Sequence, residues 1–267
     1  IGSKFYNKAV LRKPFQYKIT PMWALKSTKL VGSGSVLYKK MPEFGNLYFY
    51  RVGFSGSYYS YDSDLFYKRF SPFASVGFRD SKDLRNNKKH IINIRNITVD
   101  RDKNPNVALE SPNYSVFDIN YVYSNPNLIN YYRASGDYQI SADFSKISTT
   151  LNNRKLFNNN RKIDVRLFTG VFIKNNTSQD DHYFSFALDR PTDYLFDFNY
   201  YGRSDTSGLF SQQLIIAEGG FKSKLQPAFS NTWMTSFNLS TNIWRWIQAY
   251  GDLGWINNKN KGTEVVY

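Results

Sequence analysis

The sequence predicts an all-β protein whose antiparallel strands form a transmembrane β-barrel, with about 12–14 strands in view. Three observations support this prediction. Apolar and polar residues alternate in several segments, aromatic residues make up 18% of the 267 residues, and no apolar run approaches the length of a membrane helix. Because Tyr and Phe favour strands, the 21 Tyr and 22 Phe are typical of a β protein.

The alternation is clearest in the segment that begins at Leu47. Tyr48, Tyr50 and Phe54 share one parity, whereas Arg51 shares the other with Gly and Ser residues. Successive side chains of a strand point to opposite faces, so this segment has an aromatic face and a polar face.

The same period recurs in residues 117–123, 138–145, 233–243 and 247–255, each of which is predicted to form one strand. The candidate lipid-facing residues lie on the apolar parities and at the strand ends, where Trp and Tyr form interfacial girdles. These candidates are Tyr48, Tyr50, Phe54, Trp233, Phe237, Leu239, Trp244 and Trp255.

The polar parities supply the candidate lumen-facing residues Arg51, Asp118, Asp143, Asp164 and Arg166. Two interpretations of these charged side chains remain open. They line a pore for a polar solute, or they satisfy one another inside a filled lumen.

Alternation is also found in soluble β-sandwiches and propellers, whose polar face meets water. Three features favour the barrel. The polar parities carry many Gly and Ser residues, the apolar stripes begin or end in Trp or Tyr, and the clearest strands are about a dozen residues long.

Net charge and composition narrow the candidate partners. The chain has a net charge of +14, a mean hydropathy of −0.52 and no Cys. Its cations cluster in turn-like segments, as at Lys88–Lys89 and at Lys259 and Lys261, and no helical DNA-reading motif is present. This pattern predicts contact with anionic lipid headgroups or lipopolysaccharide and no binding of nucleic acid.

The residues of hydrolytic and metal chemistry are scarce. Only His90 and His182 are present, and neither an HExxH motif nor a G-x-S-x-G nucleophile elbow occurs. The sequence therefore predicts no catalytic residue, metal site or cofactor within this chain.

One stretch of sequence resembles a known family. Residues 186–223 read FALDRPTDYLFDFNYYGRSDTSGLFSQQLIIAEGGFKS, followed by WMTSFNLSTNIWRWIQAYGDLGWINNK and GTEVVY. This region resembles the C-terminal outer-membrane barrel of gluzincin, aminopeptidase-N-like metallopeptidases of Bacteroidota. The resemblance covers about residues 160–267 and implies a bacterial outer-membrane location, with a zinc peptidase domain elsewhere in the protein.

This chain lacks the zinc-binding motif of that family, and the difference limits what the resemblance implies about function. Since HExxH is absent here, no zinc ligand or catalytic residue is carried over, and any zinc belongs to a domain outside these residues. We expect residues 1–267 to form a single barrel domain, a portion of a longer chain. Such a domain anchors a metallopeptidase-like protein or serves as an accessory subunit of an outer-membrane complex with other membrane proteins or lipoproteins. The alternative is a porin-like or substrate-specific channel.

Overall fold

A computed structural model describes residues 1–7, 13–62, 64–83, 85–103, 113–177, 182–189, 191–198, 216–223 and 228–267. These residues form strands and no helix. The strands are β1 Phe5–Tyr6, β2 Phe15–Ala24, β3 Lys29–Lys40, β4 Leu47–Asp62, β5 Leu65–Arg79, β6 Lys89–Arg101, β7 Tyr114–Pro126, β8 Asn130–Ile140, β9 Phe144–Leu156, β10 Lys162–Asn175, β11 Phe186–Ala187, β12 Phe229–Ser230, β13 Trp233–Asn242, β14 Gln248–Asn258 and β15 Gly262–Val266.

Thirteen of these strands form one sheet in the order β1 to β10 followed by β13, β14 and β15. Strands β11 and β12 pair separately. The pairs with a resolved register are antiparallel, as expected where short connections join sequence neighbours. The all-β, antiparallel part of the prediction is therefore confirmed, and closure of the sheet into a barrel stays a prediction.

Two compact units make up the described chain. The first, unit 1, contains residues Ile1–Asn125 and Asp137–Ala142, and the second, unit 2, contains Pro126–Gly136 and Asp143–Tyr267. The expectation of one barrel domain over residues 1–267 stays a prediction.

Unit 1 is built mainly from consecutive hairpins of long strands. Strand β4 has 16 residues and pairs with the 15-residue β5 over nearly its whole length. The register shifts between Leu47 and Phe49, so Tyr48 lies in a β-bulge at the start of β4. At the other end of β4, Asp64 has φ +55, a left-handed conformation that Asp tolerates in tight turns.

Unit 2 contains the long connection between β10 and β13. Its described residues 182–189, 191–198 and 216–223 are called the covering segment, because their aromatic and aliphatic side chains pack on one face of the sheet. The hydrophobic core there consists of Phe168, Phe186, Leu188, Phe221, Met234 and Ile256.

Two strand glycines make this packing feasible. A Cβ on Gly170 of β10 would lie 2.6 Å from the Phe186 ring, and a Cβ on Gly254 of β14 would lie 3.0 Å from the Phe221 ring. Glycine at these positions therefore lets both rings lie directly on the sheet.

One strand prediction is wrong. Residues 138–145 alternate as a single strand would, but β8 ends at Ile140 and β9 begins at Phe144. The pattern continues through the three-residue connection because Ser141, Ala142 and Asp143 happen to extend the parity. Strand β7 ends at Pro126 and β8 begins at Asn130, so residues 127–129 connect them.

The described residues include no helix that is long and apolar enough to cross a membrane.

Candidate functional site

An apolar row crosses five strands of unit 1 on one face. The register aligns Tyr38, Val52, Ala74, Ile94 and Ile119 side by side on β3 to β7. The row is exposed over much of its length, with 53% of Val52 and 38% of Ile94 accessible. A soluble sheet normally turns its apolar face toward a core, so this exposed row is a candidate interaction surface.

The opposite face of unit 1 carries a polar row one residue along. Arg51, Ser75, Asn93 and Asn120 are cross-strand neighbours on β4 to β7. Ser75 donates to Asn93 at 2.6 Å, Asn93 donates to Asn120 at 3.0 Å, and Asn120 donates to Asp137 at 2.6 Å. These bonds satisfy polar groups that the fold half-buries.

A buried ion pair of this face lies beside that row. Arg95 of β6 donates through Nε to Asp118 of β7 at 2.8 Å, and the two residues are direct cross-strand partners. Asp118 is only 2% exposed. A buried carboxylate needs such a partner, because removing it from water is otherwise costly.

Unit 2 repeats the division into faces. Leu151, Leu167, Phe237 and Leu253 align across β9, β10, β13 and β14 on its apolar face. Leu167 and Phe237 are each 37% exposed. Both units, in their described parts, therefore have rows of large apolar side chains that are accessible.

The polar face of unit 2 has an equivalent row on the same four strands. Asn152, Arg166, Asn238 and Asp252 are cross-strand neighbours. Arg166 donates to Asn238 at 3.0 Å, and Asn238 donates to Asp252 at 3.0 Å. Next to this row, Ser236 is fully buried.

The predicted lipid-facing residues fall into three groups: exposed, half-buried, and outside the regular strand pattern. Phe54, Phe237 and Leu239 are exposed on the apolar faces of their units. The same faces carry three half-buried candidates, Tyr50, Trp233 and Trp255.

Two further candidates lie outside the regular strand pattern. Tyr48 lies in the β4 bulge, so strand parity does not define its face. Trp244 lies in the β13–β14 turn at residues 243–247, where it is 68% exposed. The neighbouring Trp246 is exposed as well.

Four of the five predicted lumen-facing residues lie on polar faces. Arg51 and Asp118 lie on that face of unit 1, and Asp164 and Arg166 on that of unit 2. Asp143 instead lies in the connection between β8 and β9, where its side chain is exposed and its carbonyl accepts a hydrogen bond from the Asn176 amide.

A lysine enclosed by aromatic rings was not anticipated from the sequence. Lys146 of β9 is 3% exposed, and its Nζ donates to the Phe184 carbonyl at 2.8 Å. The same Nζ lies 4.6 Å from the ring centre of Phe186 and 5.0 Å from that of Tyr194. These cation–π contacts tie β9 to the covering segment.

In the part of the chain that the structure describes, no group of three or more His, Cys, Asp or Glu is placed to hold a metal ion. His90 contacts Tyr121 Oη at 2.7 Å and Asp80 at 2.5 Å, and His182 stacks on Phe229. The zinc that the family resemblance implies finds no fitting ligand set in these residues.

Comparison with known proteins adds no assignment: no family model, no curated protein and no solved structure matches this chain. The resemblance to the barrel region of gluzincin metallopeptidases therefore stays a prediction from residues 186–223, of which 190 and 199–215 lie outside the described residues.

Proposed function

We propose that this chain is an outer-membrane β-barrel domain of a bacterial envelope protein. It anchors a metallopeptidase-like protein or serves as a structural, accessory subunit of an outer-membrane complex. The observation that carries the proposal is the pairing of exposed apolar rows with mostly half-buried polar rows on the same strands. Transmembrane barrels place apolar side chains toward lipid and polar ones toward the lumen, the reverse of a soluble protein.

The β13–β14 hairpin has dimensions that suit this environment. Strand β13 has 10 residues. At a rise of about 3.3 Å per residue and a tilt of roughly 40°, it spans about 25 Å of membrane thickness, close to the height of a lipid-facing band. Trp233 begins this strand and Trp244 follows its other end. Aromatic side chains at both ends of the span would fix the depth of the hairpin.

The proposed partners follow from chemistry and charge. Outer-membrane lipid covers the apolar faces, and the net charge of +14 favours the anionic groups of lipopolysaccharide. Other outer-membrane proteins or lipoproteins complete the complex. The peptidase domain, with its zinc, belongs to the part of the protein that this chain would anchor, and no residue here takes part in its chemistry.

Quenching by brominated lipid tests the membrane assignment. We expect the tryptophan fluorescence of the full chain to fall strongly when it is reconstituted into vesicles of phosphatidylcholine brominated on its acyl chains. Quenching requires close contact between the indole and the acyl bromines, which only a lipid-facing position allows.

Vesicles of the same lipid without bromine are the control. A soluble β protein would give the same emission in both vesicle types and would remain in solution without detergent. That pair of results would overturn the membrane assignment.

A transport channel is the second candidate function. The hydrogen-bonded row from Arg51 to Asn120 favours it, because a polar wall suits a water-filled passage. In unit 2, however, the covering segment packs aromatic rings on the polar face. We therefore expect no open-pore conductance from the purified chain in planar bilayers. Stable unitary conductance, absent from mock preparations, would favour the channel over the anchor.

A further inference from the structure

A polar pocket of about 340 Å³ opens on unit 2, at the part of its polar face beyond the aromatic core. This volume is at the small end of the range for ligand pockets. All of its lining comes from unit 2. The charged lining residues are Arg133, Arg154, Arg166, Lys222, Asp164 and Asp252.

Cations exceed carboxylates in this lining by four to two. Asp164 already has two basic partners, with Arg154 Nε at 2.6 Å and Lys162 Nζ at 3.2 Å. Asp252 accepts hydrogen bonds from Asn238 and from the backbone amide of Lys222. Because both carboxylates are engaged within the protein, the pocket has a surplus of positive charge.

The fold fixes one of these cations in place. Arg166 donates through Nη1 to Asn238 and through Nη2 to the Glu218 carbonyl at 2.5 Å. The approach depends on Gly220, where a Cβ would lie 2.6 Å from Nη1 and where φ is +76. The covering segment thus holds the guanidinium of a strand residue at the pocket wall, and a preorganised cation binds an anion at lower entropic cost.

The uncharged part of the lining offers groups that recognise hydroxyls. Asn152, Asn238 and Ser240 contribute amide and hydroxyl groups, and Tyr131 contributes an aromatic ring. The Arg154 guanidinium lies 5.4 Å from the centre of that ring. Amides can donate and accept at once, which matches the hydroxyls of a sugar.

We propose that this pocket binds a small anionic saccharide, one that carries a carboxylate or a phosphate among several hydroxyls. The cations receive the anionic group, and the amides with Ser240 receive the hydroxyls. This site adds a ligand to a domain that the proposed function treats as an anchor, and it requires no transport.

Titration calorimetry of the full chain in detergent micelles tests the proposal with three probes: glucuronate, glucose 6-phosphate and glucose. We expect at least one anionic probe to bind about ten-fold or more tightly than glucose, because hydrogen bonds to charged groups are the stronger ones. Comparison of glucuronate with glucose 6-phosphate identifies the preferred anion. Binding should weaken as NaCl is raised.

Lys222→Gln should weaken binding of the preferred anion by about ten-fold, since it removes a positive charge at an exposed position of the lining, where Nζ lies 4.3 Å from the centre of the Tyr250 ring. Lys155→Gln is the matched control, because Lys155 lies on the opposite face of β9 and should leave the affinity unchanged. Equal binding of glucose and the anions, no binding of any probe, or an equal effect of the two variants would overturn the proposal. None of these results bears on lipid quenching, so the proposed function is tested separately.

Discussion

Phe237→Arg is expected to reduce the stability of the membrane-inserted chain by about 2–4 kcal/mol, the cost of a cation near the bilayer midplane. Phe237 is the fifth residue of the ten-residue β13, and its side chain is exposed on the apolar face. The measurement is urea unfolding of the chain reconstituted in phospholipid vesicles, followed by tryptophan fluorescence.

Thr241→Arg provides a control that introduces the same side chain on the same face of β13. Thr241 shares the parity of Phe237 but lies next to the end of β13. A cation there reaches the interface, so its expected cost is about 0–1 kcal/mol. Equal effects of the two substitutions, or full stability of Phe237→Arg, would mean that this face meets water.

Phe186→Ala is expected to lower the free energy of unfolding by about 3–5 kcal/mol, as deletion of a buried phenyl group usually does. Phe186 is 1% exposed, and its ring lies on Gly170 and packs edge-on against Phe168 at 5.7 Å between ring centres. Since glycine leaves no side chain to refill the space, the cavity should persist. Replacement of Phe186 also removes one of the aromatic rings around Lys146.

Phe186→Leu separates the volume effect from the loss of any side chain. Leucine retains most of the apolar volume, so its cost should stay well below that of alanine. The same urea unfolding curves report both variants. If alanine and leucine are equally well tolerated, the covering segment does not contribute to stability through this core.

The sequence predicts the strands well because the period of two is a local property. The parity of Tyr50 and Phe54 assigns β4, and that of Phe237 and Leu239 assigns β13, without knowledge of any partner strand. Parity fails where the chain departs from regular geometry. Tyr48 lies in a bulge, and residues 141–143 form a connection whose composition imitates a strand.

The tertiary arrangement of the site has no such local signal. From the sequence alone, Gly170 and Gly254 are residues that weaken a strand. Their role becomes clear only in the structure, where the rings of Phe186 and Phe221 pack directly on them. The polar pocket is lined by residues of β8, β9, β10, β13 and β14 together with Lys222 of the covering segment. Periodicity predicts that Asp164 and Arg166 share a face, but the register between strands decides which side chains meet there.

The long connection between β10 and β13 has a consequence for the order of assembly. Strands β9 and β10 are joined through residues 157–161, whereas residues 176–232 separate β10 from its partner β13. Closing the longer loop costs about 2 kcal/mol more in chain entropy. Contacts of the covering segment with β10 and β14 offset that cost, so the hairpin of β13 and β14 should join the growing sheet late, guided by this segment.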